Sequence, residues 1–278
     1  LFPELNNKHI VLIFVMEVIK MFIEKNFYMK SLRRMRKVTI YVPDDYQTSN
    51  KRYPVLYIND GQNAFFDDKA YMGISWGFYD YVKSVGLDVI MVAIPCNFHL
   101  NKREDEYGPW PIGKDILEME YGDDSLKIGG EGKRYLQFII KQLKPYIDSH
   151  FPTLKDDCAM VGSSMGGIIT SYAGIKYSHI FKKTASLSTA YWFYVDQFCE
   201  LIDKSDLSQV ECFYFDLGGD EGNGNKMVSQ IYYGSNEIIY QKMTRKCDKV
   251  EVRFFEGASH NEEEWRKRVP IFMELFYG

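Results

Sequence analysis

Short apolar runs rich in β-branched residues alternate along the chain with longer stretches of helical periodicity. The short runs predict seven strands. They cover residues 38–42, 55–58, 89–94, 158–161, 184–187, 212–217 and 250–255. Pro43 and Pro95 end two of these runs, because proline cannot donate to a strand ladder.

Between the predicted strands, apolar residues recur at spacings of three and four. In segment 135–147 they are Leu136, Ile139, Ile140, Leu143 and Ile147. The C-terminal stretch 262–276 is similarly amphipathic, despite Pro270. Strands that alternate with helices in this way predict an α/β fold of the α/β-hydrolase type, with a mostly parallel central sheet and helices on both faces.

One long segment, 97–130, departs from this alternation. It is polar, charged and glycine-rich, and Pro109, Trp110 and Pro111 lie near its middle. Connections of this length without clear secondary structure are uncommon in compact domains and are often functional. We therefore expect an ordered loop insertion near the functional site.

Composition fits one well-packed domain. The chain has 278 residues, of which 46% are hydrophobic and 16% aromatic, so a large core can form and global disorder is excluded. We expect a single domain over residues 25–278 and an N-terminal extension or first strand over residues 1–24. The apolar stretch 10–16 is shorter than the ~20 residues of a membrane span, so we expect a strand or appended segment there and no membrane association.

The net charge and the cysteines indicate which classes of binding partner and which cellular compartment to expect. The net charge is −4, with 34 basic and 38 acidic residues, which is not the footprint of a nucleic-acid-binding protein. The short basic run at 33–37 is expected to be a solvated strand or turn edge. Five cysteines without Cys-x-x-Cys spacing support neither a disulfide framework nor a zinc site. We expect a cytoplasmic protein.

The strongest chemical signal is the pentapeptide Gly-Ser-Ser-Met-Gly at 162–166, which fits the pattern Gly-x-Ser-x-Gly. It follows the predicted strand 158–161 and precedes an apolar helical run. This setting is typical of a nucleophile elbow, where glycines on both sides avoid collision with the neighbouring strand and helix. We predict Ser164 as the nucleophile, because Ser163 lies off-centre and would not reach the tip of the turn.

A serine nucleophile needs a general base, usually a histidine oriented by a carboxylate. In this fold the chain order is serine, acid, histidine. Among five histidines, only His260 lies well beyond Ser164 and directly after a late strand. His179 follows Ser164 too closely and suits a surface or capping role. We predict His260 as the base.

The acid is expected in the glycine-rich loop that follows the predicted strand 212–217. Either Asp220 or Glu221 could orient His260, and Asp216 is expected to lie within the strand. This loop lacks the bidentate glutamate of an EF-hand and the Gly-Lys-Ser/Thr of a phosphate loop. We therefore predict an acidic triad member here and no metal site.

Ester chemistry places negative charge on the carbonyl oxygen, and two backbone N–H groups should stabilise it. One is that of Met165, directly after the nucleophile. The other should come from the turn after an early strand, where the sequence reads Asp-Gly-Gln-Asn at 60–63. Gly61 permits a tight turn, and we predict that Gln62 provides the second N–H.

Further stretches carry a family resemblance. They are Tyr-Val-Pro-Asp-Asp-Tyr at 41–46, Tyr-Pro-Val-Leu-Tyr at 53–57, Asp-Gly-Gln-Asn at 60–63, Gly-Ser-Ser-Met-Gly-Gly at 162–167, Asp-Leu-Gly-Gly-Asp-Glu at 216–221, and Ser-His-Asn-Glu at 259–262 with Trp265. Together the chain resembles the putative-esterase family of α/β hydrolases, which includes esterase D-like enzymes, enterochelin esterases, feruloyl and acetyl-xylan esterases and mycolyltransferases. Loop residues resemble its bacterial members: Arg103, Glu106, Tyr107, Pro109 and Trp110.

The resemblance implies catalytic roles for Ser164 and His260, and an oxyanion role for Met165. It favours Glu221 over Asp220, since the family's acid usually stands three residues after the strand-end glycine. The function implied is a serine esterase that needs no metal or organic cofactor and acts on a small-molecule or sugar ester.

Three aromatic residues are candidate substrate contacts: Tyr107, Trp110 and Trp76. Two other functions stay open, an acyltransferase using the same triad and a non-catalytic binding module on a hydrolase scaffold. The binding module is disfavoured because it has no need to retain Ser164, His260 and an acidic residue together. Assembly into a homo-oligomer is also left open.

Overall fold

The fold is given by a computed structural model that describes residues 21–278. The prediction for segment 10–16 lies outside the described residues. The described residues contain one eight-stranded sheet. Its strands, in chain order, are β1 (Phe22–Met29), β2 (Arg34–Tyr41), β3 (Tyr53–Asn59), β4 (Ile90–Ile94), β5 (Thr153–Ser163), β6 (Lys183–Leu187), β7 (Cys212–Asp220) and β8 (Val250–Ser259).

The strand order across the sheet is β1-β2-β4-β3-β5-β6-β7-β8. From β4 to β8 all neighbours pair in parallel, while β1 and β2 form an antiparallel edge. All seven strands predicted from the apolar runs are present. The additional strand β1 escaped clear prediction because Glu24, Lys25 and Asn26 are exposed and break its apolar pattern.

Helices connect the parallel strands. In chain order they are α1 (Phe78–Val85), α2 (Lys102–Tyr107), α3 (Lys114–Tyr121), α4 (Gly132–Phe138), α5 (Lys144–His150), α6 (Met165–Lys176), α7 (Val195–Lys204), α8 (Lys226–Lys246) and α9 (Glu262–Tyr277). A π-helical turn, Ile139–Leu143, joins α4 to α5. The predicted helical segment 135–147 therefore lies within one nearly continuous helical stretch, and α9 continues through Pro270.

The two faces of the sheet bury separate apolar cores. Helices α1 and α9 cover one face, where Phe78 and Phe272 pack at a ring-centroid distance of 6.0 Å. Helices α4 to α8 cover the other, and α6 is buried along nearly its whole length. Helices on both faces of a mostly parallel sheet confirm the predicted fold class.

Segment 97–130 differs from the expected loop because it contains α2 and α3. Both helices are short and mostly polar, so their apolar periodicity is too weak to detect in the sequence. The carboxylate of Asp105 accepts a hydrogen bond from the N–H of Gly129 at 2.8 Å, which ties the two ends of the segment together. The segment is therefore not an irregular loop.

The basic run at 33–37 is not simply a solvated edge. Arg36 is only 6% exposed and forms an ion pair with the fully buried carboxylate of Glu106. Arg34 donates to the same carboxylate oxygen from its Nε at 2.9 Å. Burial raises the pKa of Glu106, and the two arginines oppose that rise. These contacts anchor α2, which carries Arg103 into the site, against strand β2.

Candidate active site

Ser164 occupies a sharp turn between β5 and α6. Its backbone angles are φ 56° and ψ −120°, a region that residues with a side chain rarely adopt. The N–H of Ser164 donates to the carbonyl of Leu187 on β6 at 2.8 Å, and this bond helps to hold the turn. The strained conformation raises the side chain from the end of the sheet, as a nucleophile elbow requires.

Two glycines make this turn possible. A Cβ atom on Gly162 would lie 2.3 Å from the carbonyl oxygen of Gly166. A Cβ atom on Gly166 would lie 2.8 Å from a carboxylate oxygen of Asp60. Both distances are shorter than any ordinary contact, so the spacing of the motif follows from close packing around Ser164.

His260 and Glu221 form a close pair at the carboxyl ends of β8 and β7. Nδ1 of His260 lies 2.6 Å from Oε2 of Glu221, whose side chain has no exposed surface. The neighbouring Asp220 accepts hydrogen bonds from the N–H of Gly224 at 2.7 Å and the hydroxyl of Ser259 at 3.2 Å. Of the two candidate acids, Glu221 is therefore the one placed against the imidazole, and Asp220 braces its loop.

Ser164 and His260 line one cleft of about 660 Å³, together with Gln62, Arg103 and Glu262. A second cavity of about 700 Å³ lies on the far side of Gln62, next to β1 and β2, and neither Ser164 nor His260 lines it. Ser164 and His260, the predicted nucleophile and base, therefore share the first cavity, for which we keep the name cleft.

The other oxygen of Glu221 is held by a buried polar cluster. Oε1 accepts hydrogen bonds from the hydroxyl of Ser188 at 2.6 Å and from the N–H of Gly218 at 2.5 Å. Beneath Ser188, the fully buried Asp216 pairs with Arg268 at 2.7 Å. Burial raises the pKa of Asp216 to about 6, and Arg268 opposes this rise. As predicted, Asp216 lies within its strand.

Of the two predicted oxyanion donors, Met165 directly follows Ser164, and Gln62 lines the same cleft as Ser164. Met165 is the first residue of α6, and Gln62 lies in a short 3₁₀ turn, Gly61–Asn63. The first N–H groups of a helical turn have no partner within it, so they are free to bind a developing negative charge. The side chain of Gln62 accepts from the N–H of Cys96 at 3.1 Å, which fixes the turn against the end of β4.

A carboxylate next to His260 shapes the charge of the cleft. Glu262 begins α9, and its Oε1 accepts a hydrogen bond from the side-chain amide of Asn63 at 3.3 Å. Burial raises the pKa of Glu262, the nearby Asp60 raises it further, and His260 opposes both. Glu262 thus links the turn Gly61–Asn63 to the loop that carries His260.

The three aromatic residues predicted as substrate contacts do not line the cleft. Trp76 is 1% exposed and packs edge-on against Trp265 at 6.2 Å. Tyr107 is fully buried, and its hydroxyl accepts the N–H of Asp60 at 2.8 Å. Trp110 packs among aromatic side chains of α6 and α7. These three residues pack beside the cleft and are not among the residues that line it.

Other apolar residues do border the cleft: Tyr71, Met72, Phe98 and Leu100. We call them the apolar rim. Tyr71 and Phe98 stack with their ring centroids 5.3 Å apart and remain 69% and 49% exposed. In the sequence these residues are apolar side chains within polar loops. Such a pattern does not tell whether a side chain borders a cleft or packs inside its own loop.

Tyr232, on α8, is another residue that sequence analysis missed. Its ring lies 5.1 Å from the imidazole of His260. Burial raises the pKa of Tyr232 to about 12, and hydrogen bonding to the Ser164 side chain opposes this rise. Its hydroxyl is therefore protonated at neutral pH. A tyrosine within a long amphipathic helix gives no sign of this contact, which depends on how α8 is rotated.

Other features of the described residues bear on cofactors and membranes. Residues 21–278 contain no group of three or more His, Cys, Asp or Glu side chains arranged to hold a metal ion. Within the same range, no helix combines the length and the apolar character needed to cross a bilayer. All five cysteines are free.

Comparisons with known proteins identify relatives of this chain and structures that share its fold. The uncharacterized protein YbbA of Bacillus subtilis is 26% identical to this chain over 250 residues, which cover 87% of this chain and 93% of that protein. Among solved structures, an IroE-like serine hydrolase from Shewanella oneidensis superposes with a TM-score of 0.73. It is 21% identical, and the match covers 92% of this chain and 80% of that one.

The BES protein from Bacillus cereus has the same fold, with a TM-score of 0.70, 18% identity and coverage of 93% of this chain and 96% of its own. The family model described as putative esterase matches residues 29–271, which include every residue of the cleft named above. The chain therefore belongs to the putative esterase family.

Proposed function

We propose that this chain is a serine hydrolase of carboxylic esters, with Ser164 as nucleophile, His260 as general base and Glu221 as the orienting acid. The observation that carries the proposal is the buried Glu221 carboxylate, 2.6 Å from Nδ1 of an imidazole that shares a cleft with the strained Ser164. Family membership supports the same reaction class.

In the acylation half-reaction, Oγ of Ser164 attacks the ester carbonyl carbon and its proton passes to Nε2 of His260. The N–H groups of Gln62 and Met165 stabilise the oxyanion of the tetrahedral intermediate. When the bond to the alcohol oxygen breaks, His260 returns the proton to that oxygen. The alcohol leaves, and the acyl group stays on Ser164.

In the deacylation half-reaction, His260 takes a proton from water, and the resulting hydroxide attacks the acyl carbonyl carbon. The same two N–H groups stabilise the second intermediate. The proton then returns from His260 to Oγ of Ser164 as the carboxylic acid departs. Glu221 stabilises the imidazolium in both halves, because its carboxylate faces Nδ1.

The apolar rim indicates where an apolar part of the substrate binds. Tyr71 and Phe98 offer a stacked aromatic surface at the mouth of the cleft, and large exposed apolar side chains that adjoin a polar site often mark a ligand contact. In this proposal the apolar rim takes over the role that the sequence gave to Tyr107, Trp110 and Trp76.

Transfer of the acyl group to another alcohol would use the same side chains. We favour water as the acceptor, because the side chains that border the cleft at Tyr71 and Leu100 remain largely exposed and do not enclose Ser164. A non-catalytic binding module has no use for a strained serine or for an imidazole paired with a buried carboxylate, both of which cost folding free energy.

The test is hydrolysis of short-chain p-nitrophenyl esters and labelling by a fluorophosphonate probe. We expect both in the wild type and neither in Ser164→Ala. Ser163→Ala is the matched control, because Ser163 is 1% exposed and lies beside the tip of the turn. A folded wild type that neither hydrolyses these esters nor takes the label contradicts the proposal. Addition of a competing alcohol separates hydrolysis from transfer.

A further inference from the structure

Ser188 stands at the centre of the buried polar cluster beneath Glu221. It follows β6, is fully buried, and has a positive backbone φ of 43°. Its hydroxyl oxygen has three side-chain partners. They are Nε1 of Trp265 at 3.0 Å, Nη1 of Arg268 at 2.9 Å, and Oε1 of Glu221 at 2.6 Å.

Hydrogen-bond counting fixes the direction of each contact. A serine hydroxyl has one hydrogen to donate and two lone pairs to accept. An indole N–H and a guanidinium can only donate, so Trp265 and Arg268 occupy both lone pairs of Ser188. The single hydrogen of the hydroxyl must therefore point at the carboxylate of Glu221.

The direction of the Ser188 hydrogen bond limits how the carboxylate of Glu221 can rotate. Its Oε1 receives two donors, the Ser188 hydroxyl and the N–H of Gly218, while its Oε2 faces His260. A carboxylate anchored on one oxygen cannot rotate about its terminal bond without losing both bonds. The other oxygen is then held where Nδ1 of His260 needs it.

We propose that Ser188 is a positioning residue of the active site, a donor of fixed direction that locks the rotation of Glu221 and so orients His260 toward Ser164. The inference rests on the proposed function, because it assigns a role within the same triad. The hydrogen-bonded chain then runs from Trp265 and Arg268, through Ser188 and Glu221, to His260.

Hydrogen bonds also hold the backbone of Ser188 in the conformation that directs its hydroxyl toward Glu221. Its N–H donates to the carbonyl of Asp216 at 3.0 Å and lies 3.1 Å from the Asp216 carboxylate, which also pairs with Arg268. A positive φ is unfavourable for a residue with a side chain and persists only where surrounding contacts enforce it. Glycine would adopt this φ without strain, yet glycine would lack the hydroxyl.

Two substitutions separate the hydroxyl from the backbone. Ser188→Ala removes the hydroxyl and keeps the strain, whereas Ser188→Gly removes the hydroxyl and relieves the strain. If the hydroxyl positions Glu221, both variants lose about 10- to 100-fold in kcat on a p-nitrophenyl ester, with KM within about twofold of the wild-type value. If only the backbone conformation matters, Ser188→Gly retains the wild-type kcat, and the proposal is overturned.

The matched control is Ser171→Ala. Ser171 is also fully buried, and its hydroxyl donates to that of Ser186 at 2.8 Å, away from Glu221. This variant loses a buried hydroxyl of the same kind, so it should lose a similar amount of thermal stability while kcat stays within about twofold. An equal loss of kcat in Ser171→Ala would show that loosening of the core explains the Ser188 result.

A spectroscopic readout completes the test. The short contact between His260 and Glu221 should give a far-downfield proton resonance for Nδ1–H in the wild type and in Ser171→Ala. We expect it to shift or disappear in both Ser188 variants. An unchanged resonance together with wild-type kcat refutes the role of Ser188 and leaves the esterase intact, whereas a wild type without ester hydrolysis or fluorophosphonate labelling refutes the proposed function itself.

Discussion

Arg103 donates two hydrogen bonds to the carboxylate of Asp60, from Nε at 2.9 Å and from Nη2 at 2.8 Å. Asp60 is 2% exposed and has a left-handed backbone with φ 50°. Its carboxylate also lies against Gly166 of the elbow. One guanidinium from segment 97–130 therefore holds together the turn that begins after Asp60 and the turn at Ser164.

Replacement of Arg103 should impair catalysis. Arg103→Ala leaves the Asp60 carboxylate buried without its partner, which should displace the turn that carries Gln62. We expect kcat/KM to fall about 10- to 100-fold, and Arg103→Lys to recover only part of it, because lysine cannot make the bidentate contact. Ester hydrolysis measured beside thermal unfolding checks this.

The control is Arg253→Ala, which removes an arginine whose ion pair with Glu251 is largely exposed. It should leave kcat/KM within about twofold, since such surface pairs contribute little. If Arg103→Ala keeps wild-type activity, then Asp60 holds the turn without its guanidinium partner.

The adjacent carboxylates Asp220 and Glu221 should respond very differently to neutralisation. In Glu221→Gln the side chain can no longer stabilise the imidazolium of His260, so we expect kcat to fall on the order of 10²- to 10⁴-fold. In Asp220→Asn the amide can still accept from Gly224, and we expect a loss of less than about tenfold. Initial rates of ester hydrolysis at neutral pH compare the two variants. A larger loss of kcat in Asp220→Asn would reverse the assignment of the acid.

Much of this arrangement could be predicted from the sequence because it lies at strand ends. In a mostly parallel sheet, the residues that follow β5, β7 and β8 meet at one edge, so Ser164, Glu221 and His260 could be brought together from chain order alone. The order of residues along the chain left Asp220 and Glu221 both open, and only the family resemblance favoured Glu221. The placement of the two side chains depends on the shift in strand register near Gly218 and Asp220.

The residues that sequence analysis missed depend on packing angles. The ring of Tyr232 faces His260 because of the rotation of α8. Ser188 bonds to Glu221 within a buried cluster that also contains Trp265 and Arg268 of α9. The burial of Trp76 and Tyr107, which the sequence did not indicate, has the same origin. An aromatic residue in a connecting segment gives the same sequence pattern whether its ring faces the cleft or the core.

The hydroxyl of Tyr232 is expected to assist Ser164. Because its pKa is about 12, it remains a hydrogen-bond donor throughout the neutral range. Tyr232→Phe keeps the ring against His260 and removes only the hydroxyl, so we expect kcat to fall about five- to tenfold, by the same factor at pH 6 and pH 9.

Tyr233→Phe is the control for Tyr232, because Tyr233 is the next residue on α8 and is 55% exposed. Its pH–rate profile should match that of the wild type. A Tyr232→Phe variant whose loss grows between pH 6 and pH 9 would indicate instead that the hydroxyl ionises during turnover.

The apolar rim should determine how well the enzyme uses esters with a longer apolar part. Tyr71→Ala and Phe98→Ala each remove one half of the stacked pair, and such aromatic contacts contribute about 1 kcal/mol. We expect kcat/KM to fall about fivefold for octanoyl or cinnamoyl p-nitrophenyl esters and to change little for the acetyl ester, because an acetyl group has little apolar surface to bury against the apolar rim.

Tyr28→Ala offers a comparison for the apolar rim, because Tyr28 is similarly exposed, at 52%, but lies on β1 and does not line the cleft. The informative quantity is the ratio of kcat/KM between the long and acetyl esters. A ratio lowered in Tyr71→Ala and Phe98→Ala and unchanged in Tyr28→Ala locates the apolar part of the substrate on the stacked rings. An equal loss on every ester would mean instead that the two rings only hold the loops around the cleft.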